Sequence, residues 1–444
     1  MKNEMDMLNG PLAGKILKFA IPLACTGMLQ QLFNAADVMV IGRFVGKHAM
    51  AAVGSNSSFI GLMLNLFVGI SLGANVVIAR YTGQKEVEKV HQTVHTAILV
   101  ALIGGVCMTI IGELCANPLL VLLGVPDEVF SLARLYLRVY LLGMPVIFLY
   151  NFESAIFRSQ GNTRTPLICL TISGCINVVF NLFFVLVLKM SVEGVGYATV
   201  LANVVSSGML FYLLAHSESE VRIRKNEFRI NTHVLKAMFR IGLPAGLQGC
   251  VFSVSNIMVQ SGINSLGADV MAGSSAAFNI EIMAYYLVNS FGQASTTFIG
   301  QNHGAGKLDR CKSVTRWSIF LATIFTAIVS VVVVFTAPQL IRIFNTDPKV
   351  VEAGCTRLYW IVGLELINMM IELISGCMRG YGYSLVPAVI AVAGICGVRI
   401  IWIYTIFRQS HTFSTLMMVY PFSWVITDIA LITAYFLFRK KMIR

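Results

Sequence analysis

Charged side chains are scarce in this sequence: Asp, Glu, Lys and Arg make up only 12% of its 444 residues, while 57% are hydrophobic. An ordinary soluble domain carries about 25% charged residues, so the composition excludes a water-soluble protein. No GxxxxGK[ST] phosphate loop occurs, which argues against an ATP-driven pump. The 10 cysteines and 7 histidines form no CxxC pair or Cys/His cluster at metal-ligand spacing. We therefore expect no metal site and no histidine proton relay.

Long apolar runs are what the sequence has instead. A helix of about 20 apolar residues crosses a bilayer core roughly 30 Å thick, because it rises 1.5 Å per residue. About twelve such runs are present, so the sequence predicts an all-α polytopic membrane protein. They cover residues 17–41, 52–79, 96–115, 132–157, 166–188, 195–215, 241–263, 276–300, 317–335, 358–378, 386–406 and 416–438.

The formal charge of +12 is concentrated in every second connection between these runs. The basic residues concerned are Arg80, Lys85, Lys89, Arg158, Arg164, Arg222, Arg224, Lys225, Arg229, Lys236, Arg240, Lys307, Arg310, Lys312, Arg316, Arg439, Lys440, Lys441 and Arg444. By the positive-inside rule, these connections and both termini face the cytoplasm, which predicts a multi-pass inner-membrane protein with an even number of spans. The positive charge therefore indicates topology, and no nucleic-acid partner is expected.

The two halves of the chain resemble each other. The segment Asp-Val-Met-Val at 37–40 matches Asn-Ile-Met-Val at 256–259, and Arg158 and Pro166 match Arg379 and Pro387 farther along. We therefore predict a first six-helix bundle at 1–215, a cytoplasmic linker at 216–240 and a second six-helix bundle at 241–444. Six spans per half make the repeats parallel, an arrangement that places a substrate cavity between the halves in known transporters.

Asp37 is the strongest candidate for coupling transport to a cation. An ionised carboxylate inside the bilayer costs at least about 2.5 to 3.5 kcal/mol, so a buried acid needs a reason. Asp37, Asn177, Asn181 and Thr199 are predicted at similar depth on helices 1, 5 and 6, and the two asparagines share a helical face. Their oxygens suit a hard cation or a proton-binding carboxyl group. The alternative is ordinary hydrogen bonding between helices.

Other polar residues inside the predicted helices allow further assignments. Glu281 on helix 8 is a candidate for binding a cationic substrate. Glu365 and Glu372 share one face of helix 10, and Arg399, the only Lys or Arg clearly inside a predicted helix, is expected to neutralise one of them in a structural salt bridge. The roles of Glu153 and Asp428 stay open.

Pro22 interrupts helix 1 fifteen residues before Asp37, about 22 Å along the helix axis. Proline cannot donate the usual backbone hydrogen bond, so this position is either a hinge or a fixed kink.

Four segments carry a family resemblance: 34–42, 157–166, 194–202 and 242–246. Their order and spacing resemble those of multidrug and toxic compound extrusion transporters. The resemblance implies two six-helix bundles in a V and export of amphipathic, often cationic drugs in antiport with H⁺ or Na⁺. No cofactor other than the coupling ion is expected, and the protein is expected to be a monomer that contacts membrane lipids.

The resemblance also implies a coupling site in the first half. In prokaryotic members an Asp on helix 1, an Asn and a second acid on helix 5, and a Thr on helix 6 form this site. The matching positions here are Asp37, Asn177, Asn181 and Thr199, with Asn181 in place of the second acid. A flippase for lipid-linked oligosaccharides remains the alternative. Such a protein would line its cleft with several basic residues.

Overall fold

The computed structural model describes residues 5–122, 124–224 and 227–442. Lys225 and Arg444, two of the basic residues used to predict topology, lie outside these ranges. Within the described residues the regular structure is entirely helical and forms twelve consecutive rods. They are α1 Leu12–Phe44, α2 Lys47–Gln84, α3 Val87–Leu122, α4 Asp127–Ser159, α5 Arg164–Val187, α6 Val192–Ala215, α7 Thr232–Asn264, α8 Ala268–Gly304, α9 Leu308–Arg342, α10 Pro348–Gly380, α11 Leu385–Ser410 and α12 Phe413–Met442.

Most of these rods qualify as membrane spans on length and composition. Among the described residues, 10 helices are long and apolar enough, and the two segments of α4, bent by 49°, give 11 if they count as one span. The remaining rod, α8, is 37 residues long but rich in Ser, Thr, Asn and Gln. Many of those polar side chains are buried, so α8 runs through its bundle as an internal helix. The predicted all-helical membrane fold is confirmed.

The chain divides into two compact units. The first unit consists mainly of Cys25–Leu243, and the second of Asp6–Ala24 together with Pro244–Arg444. The division points therefore fall inside helices α1 and α7, shortly after Pro22 and directly before Pro244. This grouping follows spatial neighbours, whereas the bundle boundaries at 215 and 241 follow the sequence repeat and stay a prediction.

Close helix packing in the first unit depends on small residues. The ring of Phe33 on α1 occupies the space that a Cβ at Gly174 on α5 would need. Gly143, at the bend of α4, similarly admits the Val200 side chain of α6. Small residues at helix interfaces let backbones approach in membrane bundles, where dispersion contacts hold helices together. Gly174 thereby sets the distance between α1 and α5.

The connection between α6 and α7 is attached to α3 of the same unit. The backbone N–H of Arg224 donates to Nε2 of His95 at 3.0 Å. Asn231 donates from its backbone to Thr96 Oγ1 at 3.1 Å and from its side chain to Gln92 Oε1 at 2.7 Å. A hydrogen bond from Arg224 lowers the pKa of Glu227 in this connection. The basic connection is therefore held by specific hydrogen bonds.

The second unit includes the beginning of the chain. Asn302 on α8 donates to the carbonyl of Met7 at 3.1 Å, and Arg310 on α9 donates to the carbonyl of Asn9 at 2.8 Å. Farther along, the rings of Phe19 and Phe298 meet edge to face at 5.8 Å. These contacts explain why residues before Ala24 group with the second unit.

Candidate functional site

The four residues predicted to form a coupling site are together in the first unit. Asp37 is buried, with 7% of its surface exposed. Asn181 Nδ2 donates to Asp37 Oδ1 at 2.5 Å, and Thr199 Oγ1 donates to Asp37 Oδ2 at 3.1 Å. Asn177 Oδ1 accepts from Asn181 Nδ2 at 3.2 Å. Both carboxylate oxygens of Asp37 are therefore hydrogen-bonded to side chains of other helices.

Local structure explains this convergence. Asn177 and Asn181 are four residues apart on α5 and so point to the same side of the helix. Gly174, one turn earlier on that side, allows α1 to approach through Phe33. After Asn181 the helix widens into a π-helical segment at Phe183–Val187. Such π segments are frequent at functional sites, because they shift side chains out of the regular helical register.

The partners of Asp37 are neutral. Among the described residues, no Lys, Arg or His nitrogen lies within the 4.0 Å of an ion pair with its carboxylate. Hydrogen bonds from amide and hydroxyl groups stabilise the ionised form but leave its charge uncompensated. Asn181 Oδ1 is also buried without a hydrogen-bond donor. The ionised form of Asp37 is thus a buried charge without a basic partner within ion-pair distance among the described residues.

Thr199 can respond to the protonation state of Asp37. Its hydroxyl has a single proton and two acceptors in range, Asp37 Oδ2 at 3.1 Å and the carbonyl of Val195 at 3.0 Å. A hydroxyl donates one hydrogen bond and can accept others. When Asp37 is ionised, Thr199 can donate to it; when Asp37 is protonated, its carboxyl can donate to Thr199, which then bonds to Val195.

Two tyrosines near this site were not predicted. Tyr136 and Tyr140 on α4 are close enough to interact electrostatically with Asp37. They are one turn apart, with ring centroids separated by 6.0 Å. The apolar run of that helix did not indicate this proximity.

Glu281, the predicted substrate-binding acid, lies in the second unit in an ion pair. Arg357 Nε donates to Glu281 Oε2 at 2.8 Å and Arg357 Nη1 donates to Ser274 Oγ at 2.7 Å. The Arg357 guanidinium also lies 5.5 Å from the centre of the Phe278 ring. The expectation that Arg399 is the only Lys or Arg inside a helix was wrong, because α10 begins at Pro348 and not at 358.

The predicted salt bridge between Arg399 and the acids of helix 10 was also wrong. Glu372 Oε2 lies 3.9 Å from Nη2 of Arg379, which is seven residues later on the same face of α10. Glu365 accepts a hydrogen bond from Asn368 at 2.7 Å. Arg399 donates instead to Asn256 Oδ1 at 2.9 Å. Helical spacing identified the shared face of the two acids but not the nearer basic partner.

The remaining predicted positions are placed as follows. Glu153 accepts from Ser207 at 2.8 Å in the first unit, and Asp428 is buried in the second with Oδ1 unpaired. Pro22 lies inside the continuous helix α1. No group of three or more His, Cys, Asp or Glu side chains that could hold a metal occurs within the described ranges.

A match over most of the chain identifies the sequence family. The MatE family model matches residues 22–183 and again 244–405, once in each half. This chain belongs to the MatE family. MatE proteins are transporters and not enzymes, so the chain is a multi-pass membrane transporter, and its two matched stretches correspond to the repeat found in the sequence.

Individual MatE relatives are distant but cover most of the chain. The chain is 27% identical over 389 residues to a probable multidrug resistance protein of Bacillus subtilis, covering 86% of this chain and 84% of the relative. It is 27% identical over 391 residues to a probable multidrug resistance protein of Thermotoga maritima, covering 87% and 84%. A solved multidrug resistance MATE family transporter shares the fold, with a TM-score of 0.89, 22% identity and coverage of 98% and 97%.

Proposed function

We propose that this MatE protein exports amphipathic, often cationic drugs or toxic compounds in antiport with H⁺ or Na⁺. The observation that carries the proposal is the buried Asp37 carboxylate, which is hydrogen-bonded to Asn181 and Thr199 but has no basic partner within ion-pair distance among the described residues. Both relatives named above are described as probable multidrug resistance proteins. The names of these relatives therefore favour drugs as the class of compound that is exported.

The coupling step would use Asp37 as the exchanging carboxylate. A proton neutralises it directly and reverses the hydrogen bond with Thr199. A sodium ion would instead use oxygens of Asp37, Asn177, Asn181 and Thr199, once the Asn181 amide turns its unpaired Oδ1 toward the ion. Either event would neutralise the charge of Asp37 and change its hydrogen bonds to Asn181 on α5 and Thr199 on α6. Rearrangement of α1 about Pro22 would follow.

The orientation proposed for this cycle places both termini in the cytoplasm of a bacterial inner membrane. Its support is the alternation of basic connections along the chain. Cysteine-accessibility labelling at Lys85 and Arg229, expected inside, and at Asp127 and Asp269, expected outside, tests it. We also propose that the protein acts as a monomer among lipids.

The flippase alternative depends on unpaired basic side chains. Of the buried arginines Arg357, Arg379 and Arg399, the first two are already paired, with Glu281 and Glu372 respectively. A cavity suited to pyrophosphate would need more than one free guanidinium. Drug antiport is therefore the better supported function.

Transport in proteoliposomes tests this function. A fluorescent organic cation should move against its gradient when either an inward sodium gradient or an inward proton gradient is imposed separately. The gradient that drives transport identifies the coupling ion. Absence of transport under both gradients, in protein that still binds the cation, contradicts antiport.

A further inference from the structure

A second polar cluster lies in the second unit on the repeat counterparts of α1, α5 and α6. These are α7, α11 and α12, which provide Asn256, Arg399 and Tyr420; we call these three residues the Arg399 cluster. Tyr420 follows the start of α12 by seven residues, as Thr199 follows the start of α6. The sequence match of 37–40 with 256–259 pairs Asp37 with Asn256. The position that matches Asp37 is thus the neutral Asn256, and the charged group of the second unit is the Arg399 guanidinium on α11, the counterpart of α5.

The charge of Arg399 is not compensated by a neighbouring acid. Arg399 is 6% exposed, its Nη1 donates to Asn256 Oδ1 at 2.9 Å, and its guanidinium lies 4.2 Å from the centre of the Tyr420 ring. Its Nε is buried without an acceptor. In the part of the chain that the structure describes, no carboxylate lies within 4.0 Å of it.

Other charges near Arg399 are already paired. Glu281 and Arg357 also act on it electrostatically, but they form an ion pair with each other at 2.8 Å. Arg379, another buried arginine of this unit, has Glu372 at 3.9 Å. A buried guanidinium normally requires such an acid, because burial of a single charge is costly. Arg399 therefore differs from the other two in having only a neutral amide and an aromatic ring.

The amide that contacts Arg399 can be displaced. Asn256 is exposed on the surface of its unit, so its hydrogen bond to the guanidinium lies where a ligand can compete with it. Arg399 itself is in a short α-helical segment, Val398–Trp402, between two π-helical segments at Val392–Gly397 and Ile403–Phe407. Such widened turns are frequent at functional sites.

We propose that the Arg399 cluster binds the carboxylate or phosphate group of a transported organic compound. Charged oxygens would replace the Asn256 amide on the guanidinium, which is suited to two parallel hydrogen bonds from such groups. The Tyr420 ring stabilises the guanidinium by a cation–π contact. The inference deepens the proposed export function and rests on it, since it adds anionic and zwitterionic compounds to the cargo.

Binding of three matched probes tests the proposal. The probes are pyrenebutanoate, pyrenebutanol and pyrenebutyl-trimethylammonium, which share one ring system and differ in charge. Trp402 and Trp424 are near enough to the cluster to report binding by energy transfer to pyrene. In nanodiscs of phosphatidylcholine, the purified protein should bind the carboxylate about tenfold more tightly than the alcohol, as for a charge-assisted hydrogen bond.

Two variants should remove this preference by different routes. Arg399→Gln deletes the positive charge, and Asn256→Asp keeps it but neutralises it with an adjacent carboxylate at an exposed position. Both should reduce the preference for the carboxylate to less than twofold while the alcohol binds as before. Arg408→Gln, an exposed position on the same helix, removes the same charge and should change neither affinity. If folded Asn256→Asp retains the tenfold preference, the proposal is wrong.

A lipid phosphate could use the same chemistry. The measurement is therefore repeated in nanodiscs that contain phosphatidylglycerol, in which cargo binding should be nearly unchanged. Strong competition by phosphatidylglycerol that disappears in Arg399→Gln would assign the cluster to lipid and overturn the cargo proposal. The assay uses no ion gradient, so it can fail while antiport is observed, and antiport can fail while binding is observed.

Discussion

The two units use the same three helices to present opposite charges. In the first unit α1, α5 and α6 surround the Asp37 carboxylate with hydrogen-bond donors. In the second, α7, α11 and α12 surround the Arg399 guanidinium with an amide oxygen and a ring face. The equivalent helices thus carry groups of opposite charge, but on different members of the set: the carboxylate is on α1, whereas the guanidinium is on α11, the counterpart of α5. Helix architecture is therefore a better guide to where a site lies than to what it binds.

The units also differ in how buried charge is compensated. The second unit contains the ion pairs of Glu281 with Arg357 and of Glu372 with Arg379. In the first unit, Asp37 and Glu153 are stabilised only by neutral hydrogen-bond donors among the described residues. Fixed ion pairs do not need a mobile ion, whereas an unpaired carboxylate does. Glu365 and Asp428 of the second unit have no basic partner within ion-pair distance among the described residues either. We therefore assign coupling to the first unit because Asp37 is hydrogen-bonded to side chains of two other helices.

Among the variants that test the difference between the units, Asp37→Asn should have the largest effect on transport. The amide keeps the shape of the side chain and lowers the cost of burial, so the protein should fold and insert normally. Without an exchangeable charge, export driven by a sodium or proton gradient should fall to the background of empty proteoliposomes. Asp269→Asn, at an exposed position in the first turn of α8, removes an acid without affecting the site and should export normally. Active export by Asp37→Asn would mean that the units do not differ in coupling.

The ion pair of the second unit should matter for stability. Glu281→Gln or Arg357→Gln leaves the other charge buried and unpaired, which costs about 3 to 5 kcal/mol in comparable pairs. Each single variant should therefore unfold at a clearly lower temperature than the double variant. A cation cargo that uses Glu281 should bind more tightly to Arg357→Gln, because the acid is then free. If both single variants melt like the wild type, the pair is not structural.

The sequence predicted the fold and the first site better than the second. The apolar runs and the duplicated segments sufficed for the twelve helices, and depth within the membrane sufficed to group Asp37 with Asn181 and Thr199. Arg357 was missed because its charge excluded it from the apolar window that began at 358. The pairing of Arg399 was wrong because helical spacing gives the face of a residue but not its neighbours on other helices. Nor does an apolar run reveal the π-helical segments of α11.

Gly174 should be the most sensitive glycine of the first site. A methyl group at this position would overlap the Phe33 ring, and overpacking of this kind typically costs about 1 to 3 kcal/mol. Gly174→Ala should lower the melting temperature and weaken transport together, because α1 is pushed away from α5. Adding Phe33→Ala should recover part of both losses. Gly208→Ala on α6 meets open space and serves as the control.

Asn181→Asp should alter the ion preference without abolishing transport. A second carboxylate beside Asp37 favours a bound cation over a neutral hydrogen-bonded pair. The sodium dependence of export should rise severalfold relative to its proton dependence, measured with the two gradients applied separately. Asn203→Asp places the same charge one turn beyond Thr199 on α6 and should leave the ratio unchanged. An equal change in both variants would indicate a general electrostatic effect.

Pro22→Ala should have the smallest effect, limited to rate. Pro22 lies two residues before the point where α1 passes from one compact unit to the other, and its missing N–H leaves a gap in the helical hydrogen bonds there. If α1 bends at this point during transport, alanine will close the gap and stiffen the helix, so turnover should slow severalfold while equilibrium binding of drug is nearly unchanged. Pro118→Ala, at an exposed proline of α3 away from the division point, controls for loss of a proline in general. Spin labels on either side of Pro22 should report different distances at pH 5 and pH 8 in the wild type and a single distance in Pro22→Ala. If Pro22→Ala turns over at the wild-type rate, the proline is a fixed kink. Coupling between the charged sites of the two units and transport would then not involve bending of α1.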